Sequence, residues 1–271
     1  MSLPVKQHGE IIPLERRQLI SKRYQTITKV INREFWDTSS STDNSYYVGS
    51  YGRGTAIDDS DIDILVILPQ AEYERFDMAK GNGQSRLLQS VKNAIDETYS
   101  NTDVKADGQV VVLKFSDGMK IEVLPSFEKS YPWGMKFDYP DTNMGGNWKS
   151  TNPFAEQKAM QDKNKSSNGL LFDTCKHIRR IHLDNFKSYH LSGIVIDSFV
   201  YEAMNQWRWP LPGQNSTPSE VKYEQVLLNY YNQITWNGLI DMQIQAPGSG
   251  MNIDSSDCYE CLGKILKKMV E

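Results

Sequence analysis

Gly49-Ser50-Tyr51-Gly52-Arg53-Gly54-Thr55, followed by Ser60-Asp61-Ile62-Asp63-Ile64-Leu65-Val66-Ile67-Leu68, is the stretch whose reading decides the fold. The run from Asp61 to Leu68 is dense in β-branched residues and reads as a buried strand. Residues two apart on a strand share a face, so Asp61 and Asp63 project together at its start. Two carboxylates so close raise each other's pKa and are costly unless a cation lies between them. A divalent ion removes that cost, and hard oxygen ligands suit Mg²⁺. An exposed acidic turn accounts for the neighbouring Asp58 and Asp59, but not for Asp63, which is embedded among apolar residues. Upstream, Tyr46-Tyr47-Val48 reads as a short strand that delivers Gly49-Ser50 to the mouth of a glycine-rich turn. A glycine lets the backbone approach a ligand closely, and exposed amides with the Ser50 hydroxyl can hold phosphate oxygens. Taken alone, a Gly-Ser pair is more often just a turn.

Working outward, apolar residues from Leu14 to Phe35 fall at three- and four-residue steps and predict a long amphipathic helix from about Leu14 to Trp36. Leu87, Leu88, Val91 and Ile95 suggest a second helix. Val110 to Phe115, the turn Ser116-Asp117-Gly118, and Lys120 to Leu124 read as a two-strand hairpin ending at Pro125. Glu122 lies in its second strand. Alone it could face solvent; beside Asp61 and Asp63 it is a third carboxylate that completes a two-metal site. From Tyr131 to about Ser167 the composition shifts towards Gly, Asn, Asp, Pro and Trp with little apolar periodicity, which reads as an irregular connection containing the domain boundary. Beyond it four segments carry helical periodicity: Gly169 to His182, Leu191 to Trp207, Ser219 to Trp236 and Asp254 to Val270. Pro210-Leu211-Pro212-Gly213 and Pro247-Gly248-Ser249-Gly250 interrupt the array. The expected organisation is α+β: a mixed sheet-and-helix unit over residues 1–150, then a helical unit over residues 151–271.

Composition narrows the function. The 271 residues carry 30 Lys and Arg against 34 Asp and Glu, a net charge of −4. A protein gripping a long nucleic acid usually shows a basic surplus, so a long template is disfavoured while a small charged ligand at one local site is not. The longest strongly apolar run, Ile64 to Leu68, falls far short of the roughly 20 residues a membrane span needs. The N-terminus lacks a basic-then-apolar signal layout, so the expected compartment is the cytoplasm. Cys258 and Cys261 form a C-x-x-C without a second pair, and Cys258 falls on the periodic face of the last helix, so it reads as core. His177, His182 and His190 show no metal-ligand spacing and read as solvated or packed helix residues.

Gly49-Ser50, Arg53-Gly54-Thr55, Ser60-Asp61-Ile62-Asp63, and Glu122 three residues before Pro125 together resemble the signature of the polymerase β-like nucleotidyltransferase superfamily. Order, spacing and the ensuing helical half are most similar to the bacterial cGAS/DncV-like nucleotidyltransferases, the CD-NTases that make cyclic oligonucleotide signals in antiphage defence. The resemblance covers Tyr47 to Pro125 well and the helical half loosely. It implies a nucleotidyltransferase core, a following helical domain and an active site in the cleft between them. It further implies that Asp61, Asp63 and Glu122 bind two Mg²⁺ ions, with Mn²⁺ as an alternative, and that Gly49 and Ser50 meet the donor triphosphate. Lys176, Arg179 and Ser188 sit where relatives place triphosphate contacts, Arg179 standing where a Lys is usual; a solvated basic helix face from Lys176 to Arg180 is the competing reading. Arg53 reads as a structural contact of the turn. The implied substrates are ATP, GTP or pyrimidine NTPs; a regulatory protein partner and the activating signal stay open. The rival functions are nucleotidyl transfer to a protein, a tRNA end or a small molecule, and a nucleotide-binding sensor without turnover.

Overall fold

The computed structural model describes residues 2–131, 134–211, 213, 221–235 and 244–271. Contacts divide the chain into two compact units: one holds Ile12–Gly52 and Asp58–Pro153, the other Met1–Ile11, Arg53–Ile57 and Phe154–Glu271. Two short segments from the first half, the N-terminal one and Arg53–Ile57, belong to the helical unit.

In the first unit, helix α1 (Leu14–Trp36) has the expected bounds. It buries Ile20, Tyr24, Ile27, Val30 and Ile31, one apolar stripe at helical spacing. It stops where Asp37 turns into the left-handed region (φ 51°) and its amide bonds the Asn32 carbonyl, a conformation that a short polar side chain tolerates. Strand β1 (Ser45–Val48) leads into a short helix α2 (Gly49–Arg53), then β2 (Ile62–Ile67). Two further helices follow, α3 (Gln70–Asp77) and α4 (Gly83–Thr98). Asn82 caps α4 by accepting from the Ser85 amide at 2.8 Å. The sheet continues with β3 (Asp103–Asp107), β4 (Val110–Lys114), β5 (Lys120–Tyr131), β6 (Gly134–Asp141) and β7 (Asn147–Thr151). Strand order is β1-β2-β5-β4-β3, with β6 pairing β5 and β7. Among the described residues, β2 and β5 pair in parallel and the other pairs of this sheet are antiparallel. Ile62, Ile64, Val66, Val111, Leu113, Ile121, Val123 and Phe127 form a core with the buried stripes of α1 and α4.

Three expectations are corrected here. The strand expected to end at Pro125 runs through it to Tyr131. Pro125 sits in the gap between two antiparallel partners, because β4 pairing ends at Val111↔Val123 and β6 pairing starts at Phe127↔Asp138; a strand tolerates proline where a ladder donor is not needed. The segment expected to be irregular holds two strands, β6 and β7, and a helix α5 (Pro153–Ser166). β6 alternates Met135, Phe137 and Tyr139 with Lys and Asp, and Phe137 is fully buried. The third is β3, which was not expected: it is an edge strand, Asp-Val-Lys-Ala-Asp, with one buried residue, and charge on an edge blocks stray pairing.

In the second unit, α5 is followed by α6 (Leu170–Asn185), α7 (Gly193–Ala203), α8 (Tyr223–Ile234) and α9 (Tyr259–Val270). A two-residue hairpin, β8 (Ile244–Gln245) with β9 (Asn252–Ile253), precedes α9. The four expected helices are present, α7 being shorter than the periodic stretch that foretold it. The ends expected at Ser219 and Trp236, and Pro212 of the expected break, lie outside the described residues. Cys258, Cys261, Leu262, Ile265, Leu266 and Met269 pack into this unit's core with Leu171, Cys175, Ile178, Val195 and Phe199. Cys258 Sγ accepts from the Ser192 amide at 3.3 Å, and burial pushes the Cys261 thiol up to about 11, so this pair is packed and unreactive. Among the described residues no helix is long and apolar enough to cross a membrane.

Candidate active site

The parallel register of β2 and β5 sets Asp63 opposite Glu122 and Ile62 opposite Ile121. The isoleucines are buried in the core, which turns the two carboxylates together onto the other face, where both are half-buried. Asp61 lies two residues before Asp63 and Lys120 two before Glu122, so the same alternation brings them to that face. The Lys120 ammonium donates to Asp61 Oδ2 at 2.7 Å and to Glu122 Oε1 at 2.6 Å. Burial disfavours the charged ammonium, but the hydrogen bonds to Asp61 and Glu122 outweigh it and hold Lys120 above the usual lysine range. For two unit charges about 5 Å apart the repulsion is about 3 kcal/mol at an effective dielectric of about 20, less where solvent screens it. One ammonium shared by both carboxylates cancels it.

Gly49 is required twice over. It follows Val48, the β1 residue paired with Asp63, and takes φ +59°. A Cβ there would stand 1.8 Å from Asp63 Oδ2 and 2.5 Å from its Cγ. The bare backbone of Gly49 therefore fixes where the Asp63 carboxylate sits. Ser50 follows within α2, half-buried. Gly49→Ala is expected to cost about 1–2 kcal/mol in backbone strain, and to lower activity by about 100-fold, the penalty for misplacing a reacting group by about 1 Å. Thermal melting and synthesis rate, measured on the same preparation, separate the two effects; an alanine variant with full activity would show that the contact does not matter.

Among the described residues, no group of three or more His, Cys, Asp or Glu side chains is already gathered as a metal cage. The donor set nevertheless suits a hard divalent cation, since its members are carboxylate oxygens on one sheet face. An ammonium bridging two of them is a cation at the same place.

The other expected ligands lie in the helical unit. Lys176 is half-buried on α6, its ammonium 3.5 Å from the Glu10 carbonyl, and burial lowers its pKa. Ser188 is exposed in the turn after α6. Arg179 is engaged within the unit. It is buried, with Nη1 donating to Asp197 Oδ1 at 2.7 Å and to the Cys175 carbonyl, and Nη2 donating to the Gly193 carbonyl at 2.8 Å. Its guanidinium faces inward and serves the unit's interior. Asp197, fully buried on α7, is the residue the sequence reading missed, because an Asp in an apolar helix shows no partner in one dimension. It also accepts from Arg53 Nε at 2.8 Å and Thr55 Oγ1 at 2.9 Å. Arg53, as expected, is a structural contact, and its Nη1 lies 3.3 Å from Glu156 Oε2. His177 and His182 each bond a backbone carbonyl at 2.9 Å, Leu3 and Tyr189 respectively, and are packing residues.

Residues 9–164, more than half of the chain, match the model of the Second Messenger Oligonucleotide or Dinucleotide Synthetase (SMODS) domain. The chain belongs to this family. Its description is that of a synthetase of second-messenger oligonucleotides or dinucleotides. No curated protein matches the chain. Solved structures share the fold at low identity. A STING-associated CdnE c-di-GMP synthase from Capnocytophaga granulosa aligns with TM-score 0.66 and 13% identity over 94% of this chain and 79% of that one. The Elizabethkingia meningoseptica CdnE cyclic dinucleotide synthase, solved with GTP and Apcpp, gives 0.62 and 15% over 91% and 89%. The Rhodothermus marinus CdnE c-UMP-AMP synthase, solved with Apcpp and Upnpp, gives 0.60 and 14% over 96% of each chain.

Proposed function

We propose that this SMODS protein is a Mg²⁺-dependent cytoplasmic synthase that condenses NTPs into a short cyclic oligonucleotide, releases pyrophosphate and signals in antiphage defence. The observation that carries the reading is the register of Asp63 with Glu122 on adjacent parallel strands, with Asp61 on the same face and Gly49 packed directly on the Asp63 carboxylate. Relatives described as cyclic dinucleotide synthases, two of them solved with nucleotide analogues, favour cyclisation, and the STING association of another favours a defence role.

Two Mg²⁺ ions, replaceable by Mn²⁺, would activate the attacking hydroxyl and stabilise the leaving pyrophosphate. Asp61, Asp63 and Glu122 would hold them. The protein's own part is positioning. Gly49 and Ser50 would bring backbone amides and a hydroxyl to the donor triphosphate, and Lys176 and Ser188 would add contacts from the helical unit. No side-chain nucleophile is needed when reacting groups are held in line. Labelled NTPs incubated with the protein and Mg²⁺ should give pyrophosphate and a phosphatase-resistant product, whose mass reports bases and ring size. Label on a protein, tRNA or small acceptor would replace this reading with transfer to a non-nucleotide; nucleotide binding without any product would replace it with a sensor.

A further inference from the structure

We propose that Lys120 is an internal counter-cation of the carboxylate site: its ammonium holds Asp61 and Glu122 together until a divalent ion takes its place, so that metal loading is an exchange of lysine for metal. The inference rests on the reading of Asp61, Asp63 and Glu122 as metal ligands.

Three observations carry it. The ammonium lies 2.7 Å from Asp61 Oδ2 and 2.6 Å from Glu122 Oε1, hydrogen-bond distances to two of the three carboxylates at once. A divalent ion bound by the same oxygens would stand about 2.1 Å from each. Like-charged ions cannot share that space, so the two occupants exclude each other. The second is strand geometry. Lys120 is two residues before Glu122 on β5, so the alternation of the strand aims it at the same face with no help from a loop. The third is residue type. A lysine is a point charge on a flexible four-carbon stem and can leave without moving the backbone, whereas an arginine fork would lock both carboxylates. Lys120 is also about one-third exposed, with 32% of its side-chain surface open, so a path out exists.

With lysine in place the repulsion between Asp61 and Glu122 is offset and their facing oxygens are occupied; with lysine displaced those oxygens are released to the ion. The freed ammonium stays on the same sheet face, beside any triphosphate the site receives.

The test uses the full chain and Mn²⁺ alone, without nucleotide, followed by calorimetry and by thermal melting in EDTA and in excess Mn²⁺. Lys120→Met and Lys120→Gln should each bind Mn²⁺ about tenfold more tightly than the parent, the scale expected from removing a competing ion pair. Both should melt lower in EDTA and gain more from Mn²⁺. If Asp61→Asn/Glu122→Gln loses Mn²⁺ binding while the Lys120 variants bind it no more tightly than the parent, the exchange is overturned and the metal site stands. If Asp61→Asn/Glu122→Gln binds Mn²⁺ as the parent does, or the parent binds none, the metal-site reading falls and the exchange falls with it.

Discussion

Asp63→Asn is expected to abolish oligonucleotide synthesis, with product formation falling by about 10³-fold or more while the protein stays folded. The size follows from the role proposed for the carboxylate. Metal-mediated stabilisation of transition-state charge amounts to several kcal/mol, and each 1.36 kcal/mol is a decade of rate. Asn keeps the shape and one acceptor oxygen but removes the charge that would hold a divalent ion. Asp63 is the most sensitive of the three for a structural reason: it is opposite Glu122 in the ladder and in contact with the Gly49 backbone, so it has no freedom to be replaced by a neighbour. Asp61→Asn and Glu122→Gln should follow the same direction. Losses at the three positions should not add, since residues acting as one unit are non-additive. Pyrophosphate release and product mass are the readouts, with circular dichroism as the folding control. A Asp63→Asn variant retaining more than about a tenth of parental activity would remove Asp63 from the chemistry.

Much of the core was legible because its decisive signals are local. The three-and-four spacing from Leu14 gave α1 its observed bounds, and the β-branched run after Asp61 gave β2. The opposition of Asp63 and Glu122, 59 positions apart in sequence, is a matter of register; only the family resemblance could suggest it, because pairing partners leave no mark on a single sequence. Other features escaped for physical reasons. β3 is a short charged edge strand with one buried residue, and the alternation of β6 is set among Gly, Asn, Asp and Pro residues that read as a loop. Pro125 reads as a strand end, and only the gap between β4 and β6 makes it admissible. Lys120 opens the hairpin's second strand and shows no role until the face it shares with Asp61 and Glu122 is known. Arg179 matched a ligand position by spacing, yet spacing does not tell which side of α6 is buried against α7.

That inward face sets the largest expected effect on stability. Asp197 is fully buried and receives Arg53, Thr55 and Arg179, all within 2.9 Å. Burial by itself would raise its pKa, but the charges of Arg179 and Arg53 prevail and hold the carboxyl below the usual range. Removing one partner of a buried ion pair leaves the others uncompensated, at a cost of about 3–5 kcal/mol. Asp197→Ala strands two guanidiniums, so it should lie at the top of that range and consume a large share of a typical stability of about 5–15 kcal/mol. Asp197→Asn keeps the acceptor oxygen and should cost less. The pH dependence has a definite sign: a carboxylate whose folded pKa is depressed contributes stability above its unfolded value, about 3.9, and loses it as pH falls through the folded one. Acid unfolding of the parent below about pH 4 should therefore be steep, and Asp197→Asn should flatten it. Urea unfolding across that pH range tests both claims, and an Asp197→Ala variant within about 1 kcal/mol of the parent would refute them. Because Arg53 to Ile57 lies between Ser50 and Asp61 in the chain yet belongs to the helical unit, the same substitution frees the stretch leading into β2. Asp197→Ala should therefore lower synthesis even at temperatures where the protein remains folded.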